Sequence, residues 1–305
     1  MSNSPLRLIS NYHSDPARKQ AYLEFTPRAL YGASFAEWDA RGCWNDNYQA
    51  YSLFEDSGRI ISNVSVSIMD LFIDGAEKRG VQFSAVGTLP EFYKQGHSRR
   101  LMETVLADFD ATADLFFLFA NDSVLDFYTK FGFRPVREHL FRADFPNTRA
   151  SAAAATRTLN MAADEDWQLL RKLAERRAPL TRRFGSPGYE HILYFYAILA
   201  YGDSILYWPE REIALFYEIE ERVLRLYDLV FPKDAGQIAL GEILPAMLGN
   251  ACDEIMFYFT PELFDLEYEA ADVYDESPLF VRGDFPLQDE SGNGPPFKFP
   301  ALGQT

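Results

Sequence analysis

Alternation and helical spacing of apolar positions divide the first 145 residues into a series of short elements. Asp15 to Leu30 and Phe35 to Arg41 carry helical patterns. Tyr48 to Phe54 reads as a strand ending at the hairpin signal Glu55-Asp56-Ser57-Gly58. Across Ile60 to Phe72, Val64, Val66 and Ile68 fall on one face and Asn63, Ser65 and Ser67 on the other, the period of two that a strand imposes. The turn residues Asp74-Gly75 lead to a third strand, Val81 to Thr88. After Gly96 comes an amphipathic helix with Leu101, Met102, Val105, Leu106 and Phe109 on one stripe. Leu115 to Ala120 is a continuous apolar run, the mark of a strand covered on both faces. A short helix from Ser123 to Phe131 ends at Gly132, and Phe133 to Arg142 reads as the last strand. The predicted order is ααβββαβαβ.

The second half repeats this order more weakly. Helices are expected over Asp164 to Arg177 and Tyr189 to Ala200, and strands over Ser204 to Trp208, Ile213 to Glu220 and Val223 to Phe231. A helix from Gln237 to Leu248, a strand from Glu254 to Phe259 and a short helix from Glu262 follow. The composition break at Pro146 to Arg157, with its Ser151 to Thr156 run SAAAAT, sets the expected boundary after Ala150. This gives domains 1–150 and 151–305 and suggests a degenerate duplication.

Charge separates the halves further. The chain has 29 basic and 45 acidic residues, net −16; residues 1–150 hold 16 and 19, residues 151–305 hold 13 and 26. So acidic a chain repels a phosphate backbone, which argues against nucleic-acid partners and favours cationic small molecules. The hydrophobic content of 48%, with 26 Phe and 17 Tyr, excludes disorder. Cys43 and Cys252 follow no metal or redox spacing, as expected of inert thiols in a reducing compartment. The first residues carry no signal-peptide run, and Ile192 to Tyr201 is half the ~20 residues of a membrane span. A cytoplasmic protein without membrane association is expected.

Candidate chemistry lies in VGTLPEFYKQGHSRRLM, Val86 to Met102. A strand end, a loop with Gly96 and a helix start form an anion site from free backbone N–H groups, with Lys94, Arg99 and Arg100 beside it. The segment lacks both the Gly-Lys-Ser/Thr ending of a Walker loop and the three glycines of a dinucleotide fingerprint. Alone, one glycine before a helix is also the ordinary turn of any α/β protein. About 25 residues later, a buried strand leads to Asn121, with Tyr128 and Gly132-Phe133 beyond it.

The two segments together resemble the GNAT superfamily of acyl-CoA N-acyltransferases. Pro90 to Ser98 is similar to its pyrophosphate loop, and Asn121, Val124, Tyr128 and Gly132-Phe133 to its second signature. The resemblance covers about residues 1–145. It implies an α/β (α+β) fold with a mixed sheet flanked by helices, followed here by a second, degenerate GNAT-like domain. It also implies transfer of an acetyl (acyl) group from acetyl-CoA to a primary amine, with Val86, Thr88, Asn121 and Lys94 to Arg100 (Lys94, Gln95, Gly96, His97, Ser98, Arg99, Arg100) on the CoA side. Tyr93 and Ser98 depart from the motif without removing any backbone amide.

In the same resemblance Tyr128 protonates the departing thiolate. Gln82 stands where some members have a glutamate base, so three sources of deprotonation remain open: a water chain, Asp70 on the neighbouring strand, or the terminal carboxylate of Thr305. The last follows two-domain relatives similar to the mycobacterial aminoglycoside-acetylating enzymes. The tail PPFKFPALGQT is too apolar to hang free and is expected to dock. His97 reads either as a phosphate or proton-transfer contact or as a neighbour of the helix cap. Trp44, Asp46 and Tyr48 either line the amine pocket or pack in the core. Because Gln82 cannot accept a proton, a non-catalytic acyl-CoA-binding or regulatory protein is the alternative. The loop Pro232 to Gly236 has no basic followers, so the second domain is expected to be silent and to shape the acceptor side.

Overall fold

The computed structural model describes residues 5–121, 124–146 and 153–305. The first half runs β1 (Arg7–Ser10), α1 (Pro16–Ala29), α2 (Ala36–Ala40), β2 (Tyr48–Phe54), β3 (Ile60–Ile73), β4 (Ala76–Thr88), α3 (His97–Phe109), β5 (Leu115–Phe119), α4 (Leu125–Thr129) and β6 (Arg134–Asp144). The second runs β7 (Arg157–Leu159), α5 (Asp164–Glu175), β8 (Phe184–Gly185), α6 (Glu190–Leu199), β9 (Ile205–Trp208), β10 (Ile213–Glu220), β11 (Val223–Val230), α7 (Leu240–Leu248), β12 (Glu254–Phe257) and β13 (Glu269–Gly283).

Local chemistry explains several boundaries. The Asp15 side chain accepts from the N–H groups of Ala17 and Arg18, and Pro16 opens α1, the arrangement favoured at a helix start. Asp74 and Gly75, at φ 49° and 82°, make the two-residue turn between β3 and β4 that right-twisted strands prefer. The expected helix from Glu262 is absent. Its carboxylate instead accepts from the Thr181 hydroxyl and the N–H groups of Arg182 and Arg183, holding the segment as turns. The expected domain boundary after Ala150 and the expected helix start at Ser123 lie outside the described residues.

The strands form one mixed sheet in the order β1-β2-β3-β4-β5-β13-β6-β12-β11-β10-β9-β7, with β8 paired to β3. Neighbours from β1 to β4 are antiparallel, while β4 and β5 are parallel. The β9-β10-β11-α7-β12 series repeats the β2-β3-β4-α3-β5 series, including a parallel last pair. Between the two stands β13, a strand from the second half antiparallel to both β5 and β6.

Two layers cover the first-half sheet. On one face, Leu101, Met102, Val105 and Leu106 of α3 pack with Val64, Val66, Val81 and Phe116. On the other, Tyr22 of α1 and Trp38 of α2 share a core with Trp167 of α5, Ile192 of α6 and the tail residues Phe297 and Phe299. The second half therefore completes the core of the first. Among the described residues no helix is long and apolar enough to cross a membrane.

Candidate functional site

The site begins where β4 leaves β5. Their pairing covers Gly80, Val81 and Gln82 against Leu115, Phe116 and Phe117, then stops, while β4 continues to Thr88 along β3. In that stretch the β3–β4 register slips: Asn63 faces Gly87 and Ser65 faces Ser84, so Ala85 and Val86 both stand opposite Val64. Ala85 takes φ 45°, and its carbonyl accepts from Asn63 Nδ2 at 2.9 Å, which holds the bulge in place. A bulge re-aims backbone groups away from the ladder. Gly87 follows, where a Cβ would come within 2.9 Å of Leu30 Cδ2, so the strand passes close under the end of α1.

From Thr88 the chain makes a single tight turn at Pro90–Phe92 and enters α3 through Gly96 at φ 82°. No side chain caps α3, which leaves the first N–H groups and the positive end of the helix dipole facing outward. The Thr88 hydroxyl lies 2.8 Å from Ser98 Oγ and 2.7 Å from Ser62 Oγ, pinning the strand end to the helix start.

A cleft of about 930 Å³ opens along this path. Of the residues singled out from the sequence, Val86, Thr88, Lys94, Gln95, Gly96, His97, Ser98, Arg99, Asn121, Tyr128, Tyr48 and Thr305 line it. Tyr128 is buried beside Phe127, Phe133 and Phe280, and burial pushes its hydroxyl up to about 12. It therefore carries its proton at neutral pH. Burial and the nearby Arg100 lower His97 below its ordinary value.

Four expected residues lie elsewhere. Asp70 sits five residues along β3 from Ser65, about 16 Å at the rise of a strand, largely exposed and paired with Arg79 at 2.8 Å. It is not a cleft residue. Trp44 turns into the core, where its indole N–H donates to Tyr48 O, and Asp46 is exposed beside His13. Arg100, one helical position beyond Arg99, points out of the lining.

The tail docks at the fork itself. Gln82 is fully buried; its Nε2 donates to Gly303 O at 2.9 Å, and its Oε1 accepts from the N–H and the hydroxyl of Thr305, both at 2.7 Å. An ionised glutamate could not make the first bond, because a carboxylate only accepts. Upstream, the buried Lys298 ammonium reaches Glu138 at 2.8 Å, and the same carboxylate accepts from Phe299 N–H.

The second half contributes lining residues that no motif announced: His191, Ile192, Phe195 and Tyr196 from α6. His191 Nε2 lies 3.0 Å from Ser67 Oγ, and burial lowers the imidazole to about 4, so it is neutral. The polar face of β3 is likewise interior. Tyr12 meets Ser52, Ser52 donates to Asn63, Asn63 to Ser65, and Ser65 lies by Tyr22, which bonds Tyr48 at 2.6 Å. Among the described lining residues none is Asp or Glu.

The cleft thus combines a splayed parallel pair, a bulge, and a helix N-terminus fed by a glycine loop, and residues 27–136 match the family model of the acetyltransferase (GNAT) domain. No curated protein matches the chain. Solved structures with the same fold extend over most of the chain. A conserved protein from Enterococcus faecalis V583 superposes with a TM-score of 0.57 at 14% identity, covering 92% of this chain and 72% of that one. Eis1 from Mycobacterium abscessus gives 0.55 at 15%, covering 90% and 72%. A GCN5-related N-acetyltransferase from Kribbella flavida gives 0.51 at 18%, covering 91% and 71%. The fold of the chain is thus that of GNAT proteins.

Proposed function

We propose that the chain is an acyl-CoA-dependent N-acyltransferase that moves an acetyl group from acetyl-CoA to a primary amine. The observation that carries this reading is the fork after Gln82. It opens into the cleft of about 930 Å³, leads to an uncapped helix N-terminus, and has Tyr128 in its lining.

In this reading the pyrophosphate rests on the amides from Gln95 to Ser98, with Lys94 and Arg99 supplying charge. The backbone around the Ala85–Val86 bulge polarises the thioester carbonyl. A neutral amine nitrogen attacks the carbonyl carbon; the C–N bond forms and the C–S bond breaks. Tyr128 gives its proton to the departing sulfur and is reprotonated as the new amide nitrogen loses one of its own. Asp70 has no part in this scheme. If Thr305 carries the terminal carboxylate, the Gln82 clasp holds that anion beside the incoming nitrogen. The non-catalytic alternative rested on the missing carboxylate at Gln82. That position serves the tail, so the amide there is no argument against turnover.

Free-thiol release from acetyl-CoA with an amine panel tests the reading. Tyr128→Phe should lower kcat by about a hundredfold, within the usual range for a general acid, and leave acetyl-CoA affinity within about threefold. Unchanged kcat removes Tyr128 from the mechanism. Absence of acetyl-CoA binding overturns the whole proposal.

A further inference from the structure

Past the bulge, one wall of the cleft is built of rings. Phe35 and Phe195 stand 4.9 Å apart, Phe35 and Trp38 5.7 Å, and Trp38 and Tyr48 5.2 Å, each measured between ring centres. The wall joins the halves of the chain, because Phe195 comes from α6. Its polar atoms face away: the Trp38 indole N–H donates to His191 O at 2.7 Å, and the Tyr48 hydroxyl is bonded to Tyr22. The Tyr48 hydroxyl also meets Ser84 Oγ, a buried atom of the strand directly before the bulge.

This chemistry discriminates among amines. Polyamines and amino sugars would bring several further ammonium or hydroxyl groups into a region whose described lining offers no Asp or Glu side chain, at the cost of leaving most of them desolvated and unpaired. A single amine on an apolar body buries that body against the rings. Its ammonium loses its proton to solvent on entry, because burial disfavours the charged form. The free nitrogen is then a nucleophile without needing a carboxylate base.

Building on the acyltransferase reading, we propose that the acceptor is a monoamine carried on an aromatic or flat apolar body, seated against Phe35, Trp38, Tyr48 and Phe195. The nitrogen attacks the thioester carbon and loses a proton, the sulfur gains one, and the products are the N-acyl arylalkylamine and free CoA.

The test compares thiol release at saturating acetyl-CoA for 2-phenylethylamine, spermidine and glucosamine, with acetyl-CoA binding measured separately by calorimetry. The kcat/KM for 2-phenylethylamine should exceed the other two by about tenfold or more, the scale of losing one good ring contact. Phe195→Ala should lower it by about tenfold through the amine KM, with the acetyl-CoA KM unchanged. Phe195→Leu, which keeps the space filled, should cost less. Release with spermidine or glucosamine at equal or better efficiency overturns this inference and leaves the acyltransferase reading standing. So does an equal effect of Phe195→Ala on all three amines. Failure to bind acetyl-CoA, or no release with any amine, overturns both.

Discussion

Replacing Gln82 by glutamate changes one group in the clasp that seats the C-terminal residues. The native amide donates to Gly303 O and accepts twice from Thr305. An ionised carboxylate keeps the accepting bonds, loses the donor, and turns a second negative oxygen toward the Gly303 carbonyl. Losing a buried hydrogen bond and leaving its acceptor unpaired costs about 1–3 kcal/mol, so residues 303–305 should open roughly 5–150 times more often. Because the position is fully buried, the introduced carboxyl titrates above its normal range, and its protonated form donates to Gly303 as the amide did. The sign follows. With a raised pKa in the docked state, docking persists at low pH and is lost as pH rises through that pKa. Hydrogen exchange at the Thr305 amide reads this directly. After correction for intrinsic exchange, Q82E should lose that protection at pH 8 and regain most of it at pH 5. Gln82→Leu cannot recover a donor and should lose protection at both. Native protection in Q82E at pH 8 would refute the clasp.

His191 predicts an acid-side loss of stability. As pH falls below 6.5 the unfolded chain takes up a proton that the folded imidazole, lowered to about 4, does not. About 3 kcal/mol present above pH 6.5 should therefore disappear by pH 4, measured by urea denaturation. His191→Gln should flatten that slope, and an unchanged slope counts against the buried neutral ring. At Gly96 an added methyl group meets nothing within 4 Å, but φ 82° strains any L side chain by about 1–2 kcal/mol. Gly96→Ala should weaken acetyl-CoA binding by roughly 5–30-fold in calorimetry, and unchanged binding would remove this loop from the phosphate site. Asp70→Asn breaks only a surface pair with Arg79 and should leave turnover within about twofold; a tenfold drop would return Asp70 to the mechanism.

The periodic elements were readable because one physical constraint set each pattern. In β3 the alternation of Val64, Val66 and Ile68 with Asn63, Ser65 and Ser67 matches two buried faces of different chemistry, one packed on α3 and one threaded by hydrogen bonds. The loop before α3 was readable because Gly96 and the basic residues around it are contiguous. β13 was not. Its first ten residues are mostly acidic or small and include Pro278, and its longest apolar run is only Leu279, Phe280 and Val281, where the strand meets β5. The ring wall was equally hidden. Phe195 and His191 reach the cleft from a helix about a hundred residues beyond Thr88, and no spacing rule links them. Segment 44–48 shows the limit of local reading: Tyr48 and Trp44 are four residues apart, yet only Tyr48 reaches the cleft.

The place of β13 also bears on how this chain is made. Ribosomes deliver it in order, and β5 and β6 emerge with no strand between them. The residue that opens β13 follows the end of β6 by about 125 positions, some 6–25 s of elongation at typical rates. Through that interval two unpaired edges, one of them the almost wholly apolar Leu115–Phe119, are templates for pairing with any passing strand. A nascent chain stalled before Glu269 thus displays the feature that drives aggregation. Chaperone dependence in this protein should concentrate between the synthesis of β6 and that of β13.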